Sequence, residues 1–144
     1  MRARLTPGLA AGLLILIDGL CLAGGFSLAY YLRFESGWWP YLGIYSARFF
    51  AVLVLWTCLA WLGLFGLYGL YEPENLFGGT EEYRRAVHAC MLGTLILGFY
   101  SFMSRDPQRV VSRGWLFLAA PLATVCVLGA RFGYRRLVYR LRRR

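Results

Sequence analysis

Between Phe49 and Tyr71 the chain runs 23 residues without a formal charge, and a surface helix of a soluble domain cannot be built from such a run. A soluble helix keeps one polar face, whereas this stretch presents hydrocarbon on every side. Helices of about 20 such residues cross a bilayer core about 30 Å thick. Three further blocks have the same character: Leu5 to Leu32, interrupted only by Asp18, then Ala86 to Ser104, then Gly114 to Ala130. Barrel strands would be shorter and would alternate in polarity. The pattern predicts an all-α integral membrane four-helix bundle of up-down topology, with spans at about 9–32, 49–71, 86–104 and 114–131. Met1-Arg-Ala-Arg before an apolar run also opens a signal peptide, but Asp18 and the apolar continuation to Leu32 argue against cleavage.

Charge sets the expected orientation. Among 144 residues there are 16 basic side chains against 7 acidic ones, a net charge of +9, and every basic residue is Arg. With both termini cytoplasmic, the inside holds Arg2, Arg4, Arg84, Arg85 and the seven arginines from Arg131 onward, which makes 11. The outside holds Arg33, Arg48, Arg105, Arg109 and Arg113, which makes 5. That asymmetry satisfies the positive-inside rule. Trp38, Trp39, Tyr41, Tyr45 and Trp115 are then expected in an outer aromatic belt, and Tyr68, Tyr71 and Tyr83 in an inner one.

Local signals agree with this count. Pro7 opens the first helix, Thr80 and Ser112 are placed to cap the third and fourth, and Glu81 and Glu82 complement the dipole of the third. Asp106-Pro107 breaks the chain after the third span. Gly8 and Gly12, Gly19 and Ala23, Gly25 and Ala29, and Gly129 and Gly133 have the four-residue spacing that permits close helix contact. Cys21, Cys58, Cys90 and Cys126 fall one in each apolar block, which fits small buried hydrophobes and neither a disulfide framework nor metal-ligand spacing.

Polar residues inside the spans carry the most information. Asp18 lies about 22 Å inward from Arg33 at 1.5 Å per residue, His88 about 25 Å inward from Arg105, and Arg131 about 27 Å inward from Arg113. All three fall in the cytoplasmic third of the bilayer, on three different helices. We therefore expect an interhelical polar cluster of Asp18, His88 and Arg131, with Asp18 and Arg131 paired. An exchange of those two charges is expected to restore folding lost in either single exchange. The competing reading makes Asp18 a carrier of protons or substrate, as intramembrane carboxylates are in transporters.

From Arg131 the chain becomes basic, with Tyr134, Leu137, Val138 and Leu141 at helical spacing among the arginines. This predicts a transmembrane domain over residues 1–130 and a basic amphipathic helix extension over 131–144, lying along the inner membrane surface. Arg135, Arg136, Arg140, Arg142, Arg143 and Arg144 are the candidates for contact with an anionic lipid or a polyprenyl phosphate. The helical pattern is still running at Arg144, which predicts that the natural chain continues. No soluble module able to read bases accompanies these arginines, so nucleic acid is not an expected partner.

Three stretches resemble the N-terminal four-helix membrane domain of bacterial polyprenyl-phosphate sugar-1-phosphate transferases, the initiating enzymes of exopolysaccharide and O-antigen biosynthesis. One is the first span with Asp18, closing on Ala29-Tyr30-Tyr31-Leu32-Arg33-Phe34. The next runs from Leu64-Phe65-Gly66-Leu67-Tyr68 through Tyr71-Glu72-Pro73 to Glu81-Glu82-Tyr83-Arg84-Arg85. The last is Val111-Ser112-Arg113, with Gly129-Ala130-Arg131 at the far end of the same span. The resemblance implies a location in the bacterial inner membrane and a cytoplasmic catalytic domain, linked covalently or not, whose Asp-Glu pair works with magnesium. That acidic pair is not Glu81-Glu82, so no catalytic residue, metal site or cofactor is assigned to this chain. The implied role is non-catalytic: anchoring, positioning and, as a homodimer, assembling the sugar transferase near its lipid substrate. A similar domain precedes membrane-bound nucleotide-sugar dehydratases. The alternative from another class is a small four-span transporter or lipid-linked sugar flippase, with Asp18, Arg33 and Arg131 lining its path.

Overall fold

A computed structural model describes residues 7–38, 46–72, 79–103 and 111–142. They form four long helices: α1 (Pro7–Tyr30), α2 (Ala47–Leu67), α3 (Thr80–Met103) and α4 (Arg113–Arg142). Among the described residues there is no strand. Each helix packs against its neighbour in sequence and α1 closes on α4, which makes an up-down four-helix bundle. All four are long and apolar enough to cross a membrane. Their outward faces carry large apolar side chains, including Leu16, Leu20, Leu55, Leu95, Phe117 and Val125. Such a surface suits lipid and would be an aggregation hazard in water. The protein is a multi-pass membrane protein.

Backbone chemistry explains the helix ends. Pro7, the first described residue of α1, lacks the N–H that a first-turn residue leaves unpaired and so suits the start of a helix. After Tyr30 a π-helical turn spans Tyr31–Glu35, closed by the Ser36 amide donating to Tyr31 O at 2.9 Å. Ser112 caps α4 as expected, its hydroxyl accepting from the Trp115 amide at 3.4 Å. Thr80 is instead the first residue of α3 itself. Inside the spans, Thr57, Thr94 and Thr124 each donate to the carbonyl four residues back at 2.7–2.8 Å, so no hydroxyl among them is left bare in hydrocarbon. All four cysteines are free thiols.

The α1–α4 contact is the spine of the bundle. Three close approaches recur about every two turns along the antiparallel pair: Asp18 with Arg131, Gly25 with Ala123, and Arg33 with Gly114. Gly25 is needed for contact, because a Cβ there would lie 2.8 Å from Ala123 Cα. Of the four small-residue pairs, Gly25 with the buried Ala29 is the one at this interface; Gly8, Gly12, Gly129 and Gly133 face open space. On the α2–α3 side, Gly93 lies under the Trp61 ring, 2.6 Å from where its Cβ would be.

Toward the end of the bundle where α1 finishes, the core is aromatic. Phe26 meets Trp61 edge-on at 5.6 Å, and Phe50 meets Trp115 at 5.5 Å. Trp115 is wholly buried and its indole N–H donates to Phe26 O at 3.3 Å. The belt position expected for Trp115 is therefore wrong: one turn into α4 it already points at α1, and its polar atom finds a carbonyl instead of the interface. Trp38 is exposed, while Trp39, Tyr41 and Tyr45 lie outside the described residues, as does Asp106-Pro107. The fourth span passes into the basic extension without a break in the helix. α4 continues to Arg142, and Tyr134 still reaches back to Ala10 O at 3.5 Å.

Candidate functional site

At the opposite end of the bundle from the aromatic core, four polar side chains meet, three of them buried and the fourth partly so. Asp18 comes from the middle of α1, Glu82 from the first turn of α3 and Arg131 from α4; they are 0%, 6% and 2% exposed. Arg131 Nη2 donates to Asp18 Oδ2 at 2.5 Å and its Nη1 donates to Glu82 Oε1 at 2.9 Å. One guanidinium thus bridges carboxylates from two other helices. Its planar fork suits this, since two nitrogens point at different acceptors without any rotation. A lysine could not hold both at that geometry.

The fourth group arrives through the end of α2. There the Leu70 amide donates to Phe65 O at 3.0 Å and the Gly69 amide to Gly66 O at 2.9 Å. This is a Schellman closure, and it requires the left-handed backbone that Gly69 adopts at φ +67°. Leu70 is folded into the core. The next residue, Tyr71, is thereby aimed at α1, and its hydroxyl donates to Asp18 Oδ2 at 3.1 Å. The Arg131 guanidinium also lies 5.6 Å from the Phe65 ring centroid and 5.7 Å from that of Tyr71, within cation–π range. Asp18 Oδ1 and Arg131 Nε are buried without a partner among the described residues. The acid and the guanidinium are therefore linked through one hydrogen bond, short of a two-point fork.

The three residues expected to cluster behave differently. Asp18 and Arg131 are brought together. His88 is exposed and stands outside the cluster. It lies about 120° around α3 from Glu82 at 100° per residue, so both cannot face α4. The buried stripe of α3 runs through Glu82, Ala86, Ala89, Cys90, Gly93 and Leu97, which bypasses position 88. Glu82 takes the place assigned to His88. Adjacent Glu81 turns outward and pairs with Arg84 at 2.7 Å and Arg85 at 3.2 Å. The two glutamates of one dipeptide thus do different work, one on the surface and one in the core. Tyr71, expected in an aromatic belt, is part of the cluster instead.

Of the basic extension, Arg136 and Arg140 are exposed. Arg135 is half-buried, with Nη1 near Gly79 at the start of α3. Arg143 and Arg144 lie outside the described residues, and so does the side chain of Arg142. Among the described residues no three His, Cys, Asp or Glu side chains converge as metal ligands would. Chemically, the site is a buried charge bridge that fixes three helices and the end of a fourth against each other. Replacing Tyr71 with Phe is expected to cost about 1.5 to 3 kcal/mol, the range for a hydrogen bond to a charged group. Unfolding by SDS titration in mixed micelles would measure it.

Comparison of the chain with family models, with curated proteins and with solved structures finds no match.

Proposed function

We propose that this chain is the non-catalytic membrane anchor and assembly domain of a bacterial polyprenyl-phosphate sugar-1-phosphate transferase, working in exopolysaccharide or O-antigen biosynthesis at the inner membrane. The observation that carries the reading is mechanical. Arg131 is the first residue of the basic stretch, and it is also the residue gripped by Asp18 of α1 and Glu82 of α3. Because α4 runs unbroken to Arg142, fixing Arg131 fixes the direction and rotational phase of everything that follows. Exposed Arg136 and Arg140 then present charge to the anionic inner leaflet, each contributing about 1 kcal/mol of attraction. A catalytic part joined to or held by that helix would be kept at a constant height and angle over its lipid substrate. The three sequence stretches that resemble the transferases supply the identity of that part.

A transporter or flippase fits less well. Asp18 and Arg131 would have to face a path, and each is instead committed to the other below the surface. A dehydratase parent would use the same anchor with different chemistry.

Deletion of the chain in its host, followed by incorporation of labelled sugar phosphate from a nucleotide sugar into membrane lipid, tests the proposal. An anchoring role predicts that incorporation falls to background and returns with the intact gene. Unchanged incorporation with blocked movement of the finished lipid-linked sugar would overturn it in favour of the flippase. A fluorescent reporter fused after Arg144 is expected to light up on the cytoplasmic side; a periplasmic signal would remove the inner-leaflet role of the basic helix.

A further inference from the structure

The outer surface of the bundle carries a groove of about 400 Å³ between α2 and α3. Its floor is Leu53, Thr57, Trp61 and Leu97, of which the last three are buried. Its walls are the exposed side chains of Val52 and Trp56 on α2, with Ile96 and Tyr100 on α3. The one hydroxyl on the floor, that of Thr57, already donates to Leu53 O at 2.7 Å. Apart from that hydroxyl and the Trp61 indole N–H the floor is hydrocarbon, and the groove lies within two membrane-spanning segments, where hydrocarbon is the surrounding medium. Arg48 is exposed at the beginning of α2. It is adjacent in sequence to the lining residue Phe49 and one turn before Val52, so it stands at the mouth where the groove reaches the start of α2. A hydrocarbon slot with a guanidinium at its mouth matches one class of molecule.

We propose that the α2–α3 groove is a binding site for one acyl chain of a phosphate-bearing membrane lipid, with Arg48 on the phosphate. The site sits at the end of the bundle away from the Asp18–Arg131 cluster and does not depend on the transferase reading. Charge selects the lipid over a second copy of the chain. Two copies meeting groove to groove about an axis along the membrane normal would hold both Arg48 side chains at one depth, where they repel. A phosphate neutralises the same charge, and Arg is the residue best shaped to receive it.

The test uses the full chain in detergent, with native mass spectrometry reading retained lipid. Two probes share their acyl chains: dioleoylphosphatidylglycerol and dioleoylglycerol, which lacks the phosphate. Wild type is expected to retain one phosphatidylglycerol per chain. Ala60→Phe, which fills the groove from an exposed position, is expected to lower retention of both probes by about tenfold or more. Arg48→Gln is expected to lower phosphatidylglycerol retention by about fivefold and leave dioleoylglycerol unchanged. Val52→Phe on the wall repeats the filling test if Ala60→Phe fails to fold, as judged by helical circular dichroism. Equal retention by wild type and a folded filled variant would overturn the site, and an equal effect of Arg48→Gln on both probes would overturn the role of the phosphate. Cross-linked dimers through Val52→Cys that vanish on adding Ala60→Phe would assign the groove to a second copy.

Discussion

Replacing Arg131 with Met is expected to destabilise the bundle by about 3 to 5 kcal/mol, the cost of removing one partner from a buried ionic group. The size follows from what remains. Asp18 and Glu82 would stay at 0% and 6% exposure with no cation between them, and α4 would lose its hold on two helices at once. The whole network can instead be replaced together. Asp18→Leu, Glu82→Gln and Arg131→Met combined are expected to recover most of the lost stability, because a buried ion pair exchanged for packed neutral side chains is often neutral or better. What the triple variant loses is specificity: without the bridge, the rotational phase of α4 rests on packing alone. SDS-induced unfolding measures the first effect, and spin-label distances from α4 beyond residue 135 to α1 measure the second. A single Arg131→Met variant as stable as wild type would mean the bridge contributes nothing.

The structure also alters the charge-exchange experiment that the sequence suggests. For an isolated pair, exchanging Asp18 and Arg131 restores folding. They do pair, but Arg131 Nη1 also holds Glu82. The double exchange Asp18→Arg and Arg131→Asp would set a second carboxylate directly against Glu82. It is therefore expected to restore only part of the stability, and adding Glu82→Gln to restore more. Full recovery in the plain double exchange would show that Glu82 is not coupled to Arg131.

This difference marks what could be read from the residues and what could not. Helical rise is fixed, so counting from the flanking arginines gave Asp18 and Arg131 a common depth, and the pair followed. Rotation about the helix is not fixed by a count. His88 had a suitable depth but faced away, because the buried stripe of α3 is set by which residues meet α4. Glu82 was hidden for the opposite reason: an acid in a first helical turn already has a local explanation in the dipole, so nothing asked for a distant partner. One signal was available, since Glu82, Ala86, Ala89, Gly93 and Leu97 make a continuous stripe that places Glu82 on the inner face. Tyr71 depended on the closure at Gly69, whose effect on direction appears only when the chain is folded. Trp115 suits a belt by its place at a span end, while its burial comes from the Phe26 and Phe50 rings opposite. The four spans themselves were legible because hydrocarbon leaves few alternatives to a helix.

Gly25 carries the second large effect. Gly25→Ala is expected to destabilise the bundle by about 1 to 3 kcal/mol, the cost of overpacking, even though alanine is the better helix former by about 0.5 to 1 kcal/mol. The new methyl would stand 2.8 Å from Ala123 Cα and 3.0 Å from its amide nitrogen. Both are backbone atoms, so relief requires α4 to move as a body. Movement is opposed on both sides of the contact, by the Asp18–Arg131 bridge about two turns away and by the Trp115 indole held on Phe26 O. Ala123→Gly is expected to rescue little, since the Ala123 methyl is the more distant neighbour at 3.4 Å. Gly12→Ala and Gly129→Ala supply the control. A Cβ at either position meets nothing within 4 Å, so each should gain the helical preference without the clash and be neutral or slightly stabilising. Unfolding midpoints in SDS rank the three variants. If Gly25→Ala falls with the two controls, the α1–α4 contact is looser than its geometry requires, and the bridge at Arg131 would have to set the spacing of the helices alone.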